Sequence, residues 1–127
     1  YASCDTLYKA QQYESAYTEC LKSAESNIPE AQINLGWMYY EGKGVKKDYS
    51  QTFYWFLQAA NQDDISAQHN LGRLYYKGEG VKKDYAKACA LISKATIQSD
   101  AKTKSLRKYI CAISKKPLES KTDCLKK

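Results

Sequence analysis

The sequence is poor in the residues on which catalytic and metal-binding sites usually depend. It has one histidine, His69, and none of its five cysteines forms a C-x-x-C pair, so a zinc site of ordinary Cys/His spacing is not indicated. Nucleophilic catalysis commonly needs a histidine base beside a serine or cysteine. His69 occupies a position that the sequence fills elsewhere with Ile33. We therefore expect no enzymatic activity, no metal and no cofactor.

Long apolar runs are also missing. No stretch approaches the roughly 18 to 20 apolar residues that span a bilayer, so we expect no transmembrane segment. Hydrophobic residues make up 43% and charged residues 27% of the 127 residues, a balance typical of a globular protein of one domain. Because the chain begins with Tyr1 rather than methionine, we expect a mature or trimmed chain without its signal peptide.

The net charge of +6 comes from twenty Lys and Arg against fourteen Asp and Glu. A basic balance can indicate nucleic acid or another acidic partner. Much of the excess lies in two lysine pairs, 46–47 and 82–83, and in residues 102–127, which we interpret as solvated surface. We expect no nucleic-acid partner, a protein or peptide partner of acidic character, and a monomer.

A segment of 15 residues occurs twice in nearly the same form. LGWMYYEGKGVKKDY at residues 35–49 returns as LGRLYYKGEGVKKDY at residues 71–85, an offset of 36 residues. A fixed period of this length predicts a solenoid, in which each unit packs on its neighbours. A four-residue spacing, which keeps side chains on one helical face, recurs at Ala31, Leu35 and Tyr39 and again at Ala67, Leu71 and Tyr75.

Each unit contains signals for two helices. Asn27 and Glu30 have the spacing of a capping box at the start of the first helix, and Gly42 and Gly78 mark its end in the two copies. The second helix begins after Asp48 and Asp84, both good N-caps. Gly36 and Gly72 lie within the first helix, where the repeated cost of a glycine argues for a close approach of two helices.

The ends of the chain resemble degenerate copies. Residues 14–26 are expected to form a second helix preceded by a first helix within residues 4–13, and another helix should run from Asp100 to about Ser114. Pro117 should break it before a short final helix. We expect one domain over residues 1–127, divided into a capping hairpin (1–30), two repeats (31–66 and 67–102) and a second capping hairpin (103–127).

The repeat resembles a known family. The pattern A-x3-L-G-x2-Y-x2-G-x-G-V-x2-D-Y at 31–49 and 67–85, followed by Trp55 and the Ala59–Ala60 pair, is similar to the Sel1-like repeat (SLR), a branch of the tetratricopeptide superfamily. The resemblance covers residues 31–96 strongly and 1–30 more weakly. It implies an all-α, right-handed solenoid of three to four antiparallel helix pairs. It also implies a scaffold or adaptor, often outside the cytoplasm of bacteria, with cysteine-rich secreted members.

The same resemblance implies a concave binding groove lined by the first helix of each unit. Trp37, Glu41 and Ile33 are replaced in the second copy, whereas the scaffold positions repeat. Trp, Tyr and Arg are enriched among interface hot spots, and the asparagines could hold a peptide backbone. The alternative is that Trp37 and Tyr40 pack on a neighbouring unit. The expected lining is Ile33, Asn34, Trp37, Tyr40, Glu41, His69, Asn70, Arg73, Tyr76 and Lys77.

The positions of the cysteines suggest a disulfide at each end of the chain. A helical hairpin brings together residues equidistant from its turn, which predicts disulfides Cys4–Cys20 and Cys111–Cys124. We interpret Cys89 as a small buried thiol, with a Cys89–Cys111 pair as the alternative. Disulfides require an oxidising compartment, periplasmic or secreted. A further alternative is that Cys4 ends a lipoprotein cleavage box, although Tyr1 stands where leucine is usual.

These observations favour an exported, non-enzymatic module that binds a protein or peptide in its groove. A narrower possibility is a periplasmic immunity protein that neutralises a bacterial toxin, because short SLR proteins can serve as such inhibitors. The competing class is an enzyme of cell-wall or β-lactam processing, which some cysteine-rich members suggest. The sequence offers no base partner for a nucleophile, which argues against this class.

Overall fold

The computed structural model describes residues 3–95 and 101–115, which form seven α-helices and no strand. Consecutive helices pack against each other, and α1 also packs against α3. No helix within the described ranges is long and apolar enough to cross a membrane. The helices are α1 (Cys4–Lys9), α2 (Tyr13–Glu25), α3 (Pro29–Glu41), α4 (Tyr49–Ala60), α5 (Ile65–Lys77), α6 (Tyr85–Ala95) and α7 (Ala101–Ser114).

The helix starts follow the 36-residue period of the sequence. α3, α5 and α7 begin at Pro29, Ile65 and Ala101, and α2, α4 and α6 begin at Tyr13, Tyr49 and Tyr85. α1 and α2, α3 and α4, and α5 and α6 form successive hairpins, and α7 packs on α6. The predicted solenoid of antiparallel helix pairs is confirmed, and its period extends from α2 to α7, whereas α1 begins only 25 residues before α3.

The core lies between the helices of successive units. Ala31, Leu35, Ala67 and Leu71 of the predicted stripe are at most 3% exposed. α4 packs between α3 and α5 and buries Phe56 almost completely. Burying a side chain of this size contributes about 1.5 to 3 kcal/mol. The second helix of this unit thus lies between the first helices of its own unit and of the next one.

The mid-helix glycines permit the close approach that their repetition predicted. A Cβ on Gly36 would lie 2.5 Å from Cε1 of Phe56, and one on Gly72 would lie 2.7 Å from Cγ1 of Ile92. Both distances are far shorter than van der Waals contact. Any larger residue would push α4 away from α3 or α6 away from α5.

Helix ends agree with most of the predicted caps. Gly42 and Gly78 adopt the left-handed conformation with φ of 69° and 70°, which is costly for residues with a Cβ. The backbone N–H of Ser50 donates to the Asp48 carboxylate at 3.0 Å, and the N–H of Lys87 donates to the Asp84 carboxylate at the same distance. These contacts fix the starts of α4 and α6.

The predicted capping box at Asn27 is wrong. Ile28 is the N-cap of α3 and makes no side-chain cap hydrogen bond. Asn27 is left-handed, with φ of 67°, and its side-chain oxygen accepts from Nε2 of the buried Gln32 at 3.3 Å. Asparagine tolerates this conformation better than most residues, so Asn27 shapes the turn before the helix instead of capping it.

One of the two predicted disulfides is confirmed. Cys4 and Cys20 are bonded, joining α1 to α2, and this bond excludes lipidation of the Cys4 sulfur. Cys89 and Cys111 form the second disulfide, between α6 and α7. The predicted Cys111–Cys124 pair is therefore wrong, as is the interpretation of Cys89 as a free thiol. Cys124, Pro117 and the expected final helix lie outside the described residues.

Candidate binding groove

Three adjoining depressions run along the face formed by α3, α5 and α7, and we call them together the groove. The first is a small cavity of about 40 Å³ beside Trp37, the second has about 440 Å³, and the third about 580 Å³. The second and third share His69 and Thr103, and the first shares Arg73 with the third. Shared walls make the depressions one continuous surface feature.

Eight of the ten residues predicted to line the groove do so. Their position follows from the period, because α3 and α5 present the same helical faces. Contact with a partner stays a prediction for each of them. The eight are Ile33, Trp37, Tyr40, His69, Asn70, Arg73, Tyr76 and Lys77.

The other two predicted residues lie on the side of α3 that faces α1. The Nδ2 group of Asn34 donates to the sulfur of Cys4 at 3.7 Å. Glu41 pairs with Lys43 at 3.1 Å, and its charge adds to burial in raising the pKa of Tyr8. Asn34 and Asn70 thus face different neighbours, because each first helix turns this position toward the unit before it.

Trp37 and Tyr40 both pack against neighbouring side chains and line the groove. The Trp37 ring meets Phe56 and Tyr40 edge-on, with centroids 5.3 and 5.5 Å apart. The Tyr40 hydroxyl donates to Glu79 at 3.0 Å. Burial and this hydrogen bond raise the pKa of Tyr40. Glu79 belongs to the next unit, so the packing alternative is shown for Tyr40, whereas Phe56 belongs to the same unit as Trp37. Both side chains are half-buried.

The far end of the groove is cationic. Arg73, Lys77 and Lys102 line it. Lys77 lies 3.9 Å from Glu79, whereas Arg73 and Lys102 form no ion pair with the described residues. Arg73 and Lys102 are both exposed, so two of the three cations are accessible to an incoming acidic group.

Aromatic side chains wall this cationic end. Tyr76 of α5 and Tyr109 of α7 meet edge-on at 6.2 Å between centroids. A hydrogen bond with Tyr109, then burial, raises the pKa of Tyr76. Tyr109 is 56% exposed. Tyrosine combines a broad apolar face with a polar tip and suits contact surfaces that are partly wet.

Sequence reasoning missed the contribution of α7. Lys102, Thr103, Leu106 and Tyr109 form the wall of the groove opposite α5, yet the predicted lining ended at Lys77. The signal was present in the period, because Ala101 stands 36 residues after Ile65. Extending the period once more would have placed a third first helix beside α5.

The chemistry available in the groove is that of recognition. Aromatic faces, an asparagine, a histidine, and two cations without an ion pair to any described residue lie along one surface. Across the described part of the chain, no group of three or more His, Cys, Asp or Glu side chains is placed to hold a metal ion. The groove can therefore bind by stacking, by hydrogen bonds and by charge.

Paired helices stacked at a constant period, with a groove along their first helices, define an α-solenoid of the tetratricopeptide type. The model of the Sel1 repeat matches residues 29–64 and 65–100, and the chain belongs to the Sel1 repeat family. Repeats of this family are typically protein–protein interaction modules and are generally not catalytic. No curated protein matches the chain in sequence.

Solved structures of three bacterial proteins are similar to this chain. A Sel1 repeat protein from Oxalobacter formigenes shares 36% identity with a TM-score of 0.77, over 84% of this chain and 44% of that one. A protective antigen with an SLR fold from uropathogenic Escherichia coli shares 34% identity with a TM-score of 0.71, over 79% and 24%. The chain thus spans less than half the length of both.

The third structure is cysteine rich protein B of Helicobacter pylori. It shares 26% identity with a TM-score of 0.66, over 72% of this chain and 69% of that protein. A cysteine-rich relative agrees with the two disulfides of this chain. Disulfides are typical of proteins in an oxidising, exported compartment.

Proposed function

We propose that the protein is an exported, non-enzymatic module that binds a protein or peptide of acidic character in its groove. The proposal depends on one observation: a residue position that differs between the two repeats lies in the groove in both. The position that holds Trp37 in one repeat and Arg73 in the other opens onto the groove in both, while stripe residues that repeat, such as Leu35 and Leu71, are buried. A surface that varies over a constant core is typical of recognition.

The acidic character of the partner follows from the lining. Arg73 and Lys102 lack ion-pair partners among the described residues, and Glu79, the one carboxylate among the described lining residues, already contacts Tyr40 and Lys77. A carboxylate-bearing partner would supply the missing charge. The two disulfides support export to the periplasm or the exterior.

Affinity capture from the envelope extract of the source organism tests the proposal. The oxidised protein serves as bait beside the variant Trp37→Ala/Arg73→Ala, and mass spectrometry identifies the bound proteins. We expect one dominant partner that the variant loses. Capture of the same proteins by both baits, or of none by either, would contradict binding in the groove.

Two further baits separate recognition from folding. Trp37→Ala removes packing on Phe56, so the single variant Arg73→Ala, which changes an exposed residue, is tested as well. The control Lys46→Ala/Lys82→Ala removes two exposed lysines of the loops outside the groove. Circular dichroism confirms folding of each bait. Arg73→Ala should weaken capture, and the lysine control should not.

A further inference from the structure

We infer that the groove takes an extended acidic segment, with an apolar side chain at the Ile65 end and carboxylates near Arg73; this inference rests on the function proposed above. The segment would lie in the furrow, by which we mean the second and third depressions, which lie along α5 between α3 and α7. These share His69 and Thr103 as common walls. The furrow therefore follows the length of α5 instead of crossing it.

One end of the furrow is apolar. Ile33, Trp37, Ile65 and Ala95 line the second depression. Ile65 is 43% exposed at the first position of α5, next to the half-buried Trp37. An apolar side chain placed here would remove existing apolar surface from water, which is favourable in proportion to the area buried.

The other end of the furrow is cationic and aromatic. Arg73, Lys77 and Lys102 line the third depression together with Tyr76 and Tyr109. Among the residues that the structure describes, no carboxylate lines either depression of the furrow. Carboxylates of a bound segment would meet two cations that no described acidic residue neutralises. Arginine is suited to such contacts because its guanidinium can bind a carboxylate through two parallel hydrogen bonds.

The helix geometry fixes the spacing between the two ends. Ile65 and Arg73 are eight residues apart on α5, which corresponds to about 12 Å along the helix axis. An extended chain advances about 3.3 Å per residue, so about four residues cover this distance. Asn70 lines the furrow between the two ends, where its amide can hydrogen-bond the backbone of the segment.

Synthetic peptides with capped ends test the spacing directly. The matched probe is Leu-Gly-Ser-Gly-Asp-Asp, the spacing control Leu-Asp-Asp-Gly-Ser-Gly has the same composition, and the charge control Leu-Gly-Ser-Gly-Asn-Asn lacks the carboxylates. Binding to the oxidised full chain is followed by ¹⁵N–¹H NMR titration. We expect the matched probe to bind about tenfold more tightly than either control, the difference that one good charged contact makes.

Matched variants test the two ends separately. Ile65→Ser and Arg73→Gln should each weaken the matched probe about fivefold to tenfold. Ile28→Ser changes an isoleucine of similar exposure, 42% against 43%, at the start of α3, outside the furrow. Lys82→Gln removes an exposed loop cation. Both controls should leave affinity unchanged, and equal weakening by variants and controls would overturn the assignment.

The outcomes distinguish this inference from the proposed function. If a captured partner depends on Arg73 but the three peptides bind equally, or none binds at about 1 mM, the segment pattern is wrong and the groove function stands. If no partner depends on the groove and no peptide binds, both are wrong. Tighter binding of the matched probe, with shifts in α5 and α7, supports both.

Discussion

Each end of the described chain has a disulfide, but the two disulfides differ in how much hydrophobic core surrounds them. Cys4 and Cys20 are 6% and 0% exposed and belong to a hydrophobic cluster that extends through Leu35 and Met38 to Trp55. Cys89 and Cys111 are half-buried, and of the residues of α7 only Ile110 is fully buried. The first disulfide is part of a core, and the second tethers a helix.

The two ends also differ in charge. Residues 3–28 contain four acidic and two basic side chains, whereas residues 101–115 contain five basic side chains and no acidic one. One face of α7 lines the groove, and the helix contributes little to the core. The amino-terminal hairpin therefore contributes more to the core, and α7, under the function proposed above, contributes mainly to the groove.

The largest expected effect is loss of the buried disulfide. Cys4→Ala/Cys20→Ala should lower the free energy of unfolding by about 3 to 5 kcal/mol, because it removes a cross-link and leaves space in a packed cluster. Urea denaturation followed by circular dichroism measures the change. The comparison between the ends fails if the loss is below about 1 kcal/mol, since the bond would then be incidental to the core.

Loss of the second disulfide should act locally. In Cys89→Ala/Cys111→Ala we expect α7 to be destabilised by about 2 to 3 kcal/mol, with hydrogen exchange of residues 101–115 faster by about 30-fold to 150-fold. Exchange in α1 to α4 should not change, because their core does not include this bond. Equal acceleration throughout the chain would show that α7 belongs to the same cooperative unit.

The pairing of the cysteines shows where sequence reasoning succeeded and failed. Cys4 and Cys20 lie symmetrically about Gln12, in the turn between α1 and α2, and their pairing was predicted correctly. Cys89 and Cys111 lie symmetrically about residue 100, between α6 and α7. The same rule gives the observed bond there. The prediction failed because the rule was applied to a turn at Pro117.

The fold was predictable because it depends on periodic features, and part of the groove was not. The 36-residue period can be read directly from the sequence, and the left-handed glycines and the aspartate caps are local signals. The bond from Tyr40 to Glu79, by contrast, joins residues 39 positions apart and depends on how tightly adjacent units pack. Which side of Trp37 is covered by Phe56 likewise depends on the angle between α3 and α4.

A pair of tyrosines at each end sharpens the comparison through pH. The hydroxyls of Tyr17 and Tyr39 lie 2.9 Å apart, and burial followed by this hydrogen bond raises the pKa of Tyr39 strongly above 10.0. A raised pKa means that folding favours the neutral form. The contribution to stability is complete below pH 10 and is lost as the pH rises through the raised pKa.

Phenylalanine variants measure this contribution. Tyr39→Phe should cost about 1 kcal/mol at neutral pH through the lost hydrogen bond, and its unfolding free energy should fall less steeply than that of the parent chain above pH 10. Tyr109→Phe, at the more exposed pair with Tyr76, should change the alkaline slope less. Urea midpoints between neutral and alkaline pH provide both values. Equal slopes for the two variants would remove the distinction between the pairs.

The smallest expected effect concerns the exposed charges of the amino-terminal hairpin. Asp5 and Lys9 form an ion pair of 3.0 Å on α1, with side chains 56% and 75% exposed. Water and salt screen such pairs, so a double-mutant cycle of Asp5→Ala and Lys9→Ala should give a coupling below about 0.5 kcal/mol. The cycle separates the pair from the effect of each charge on the helix dipole. A coupling well above that value, persisting in high salt, would mean that charge as well as core holds this end together. The contrast with the acid-free α7 would then be one of electrostatics and not of packing.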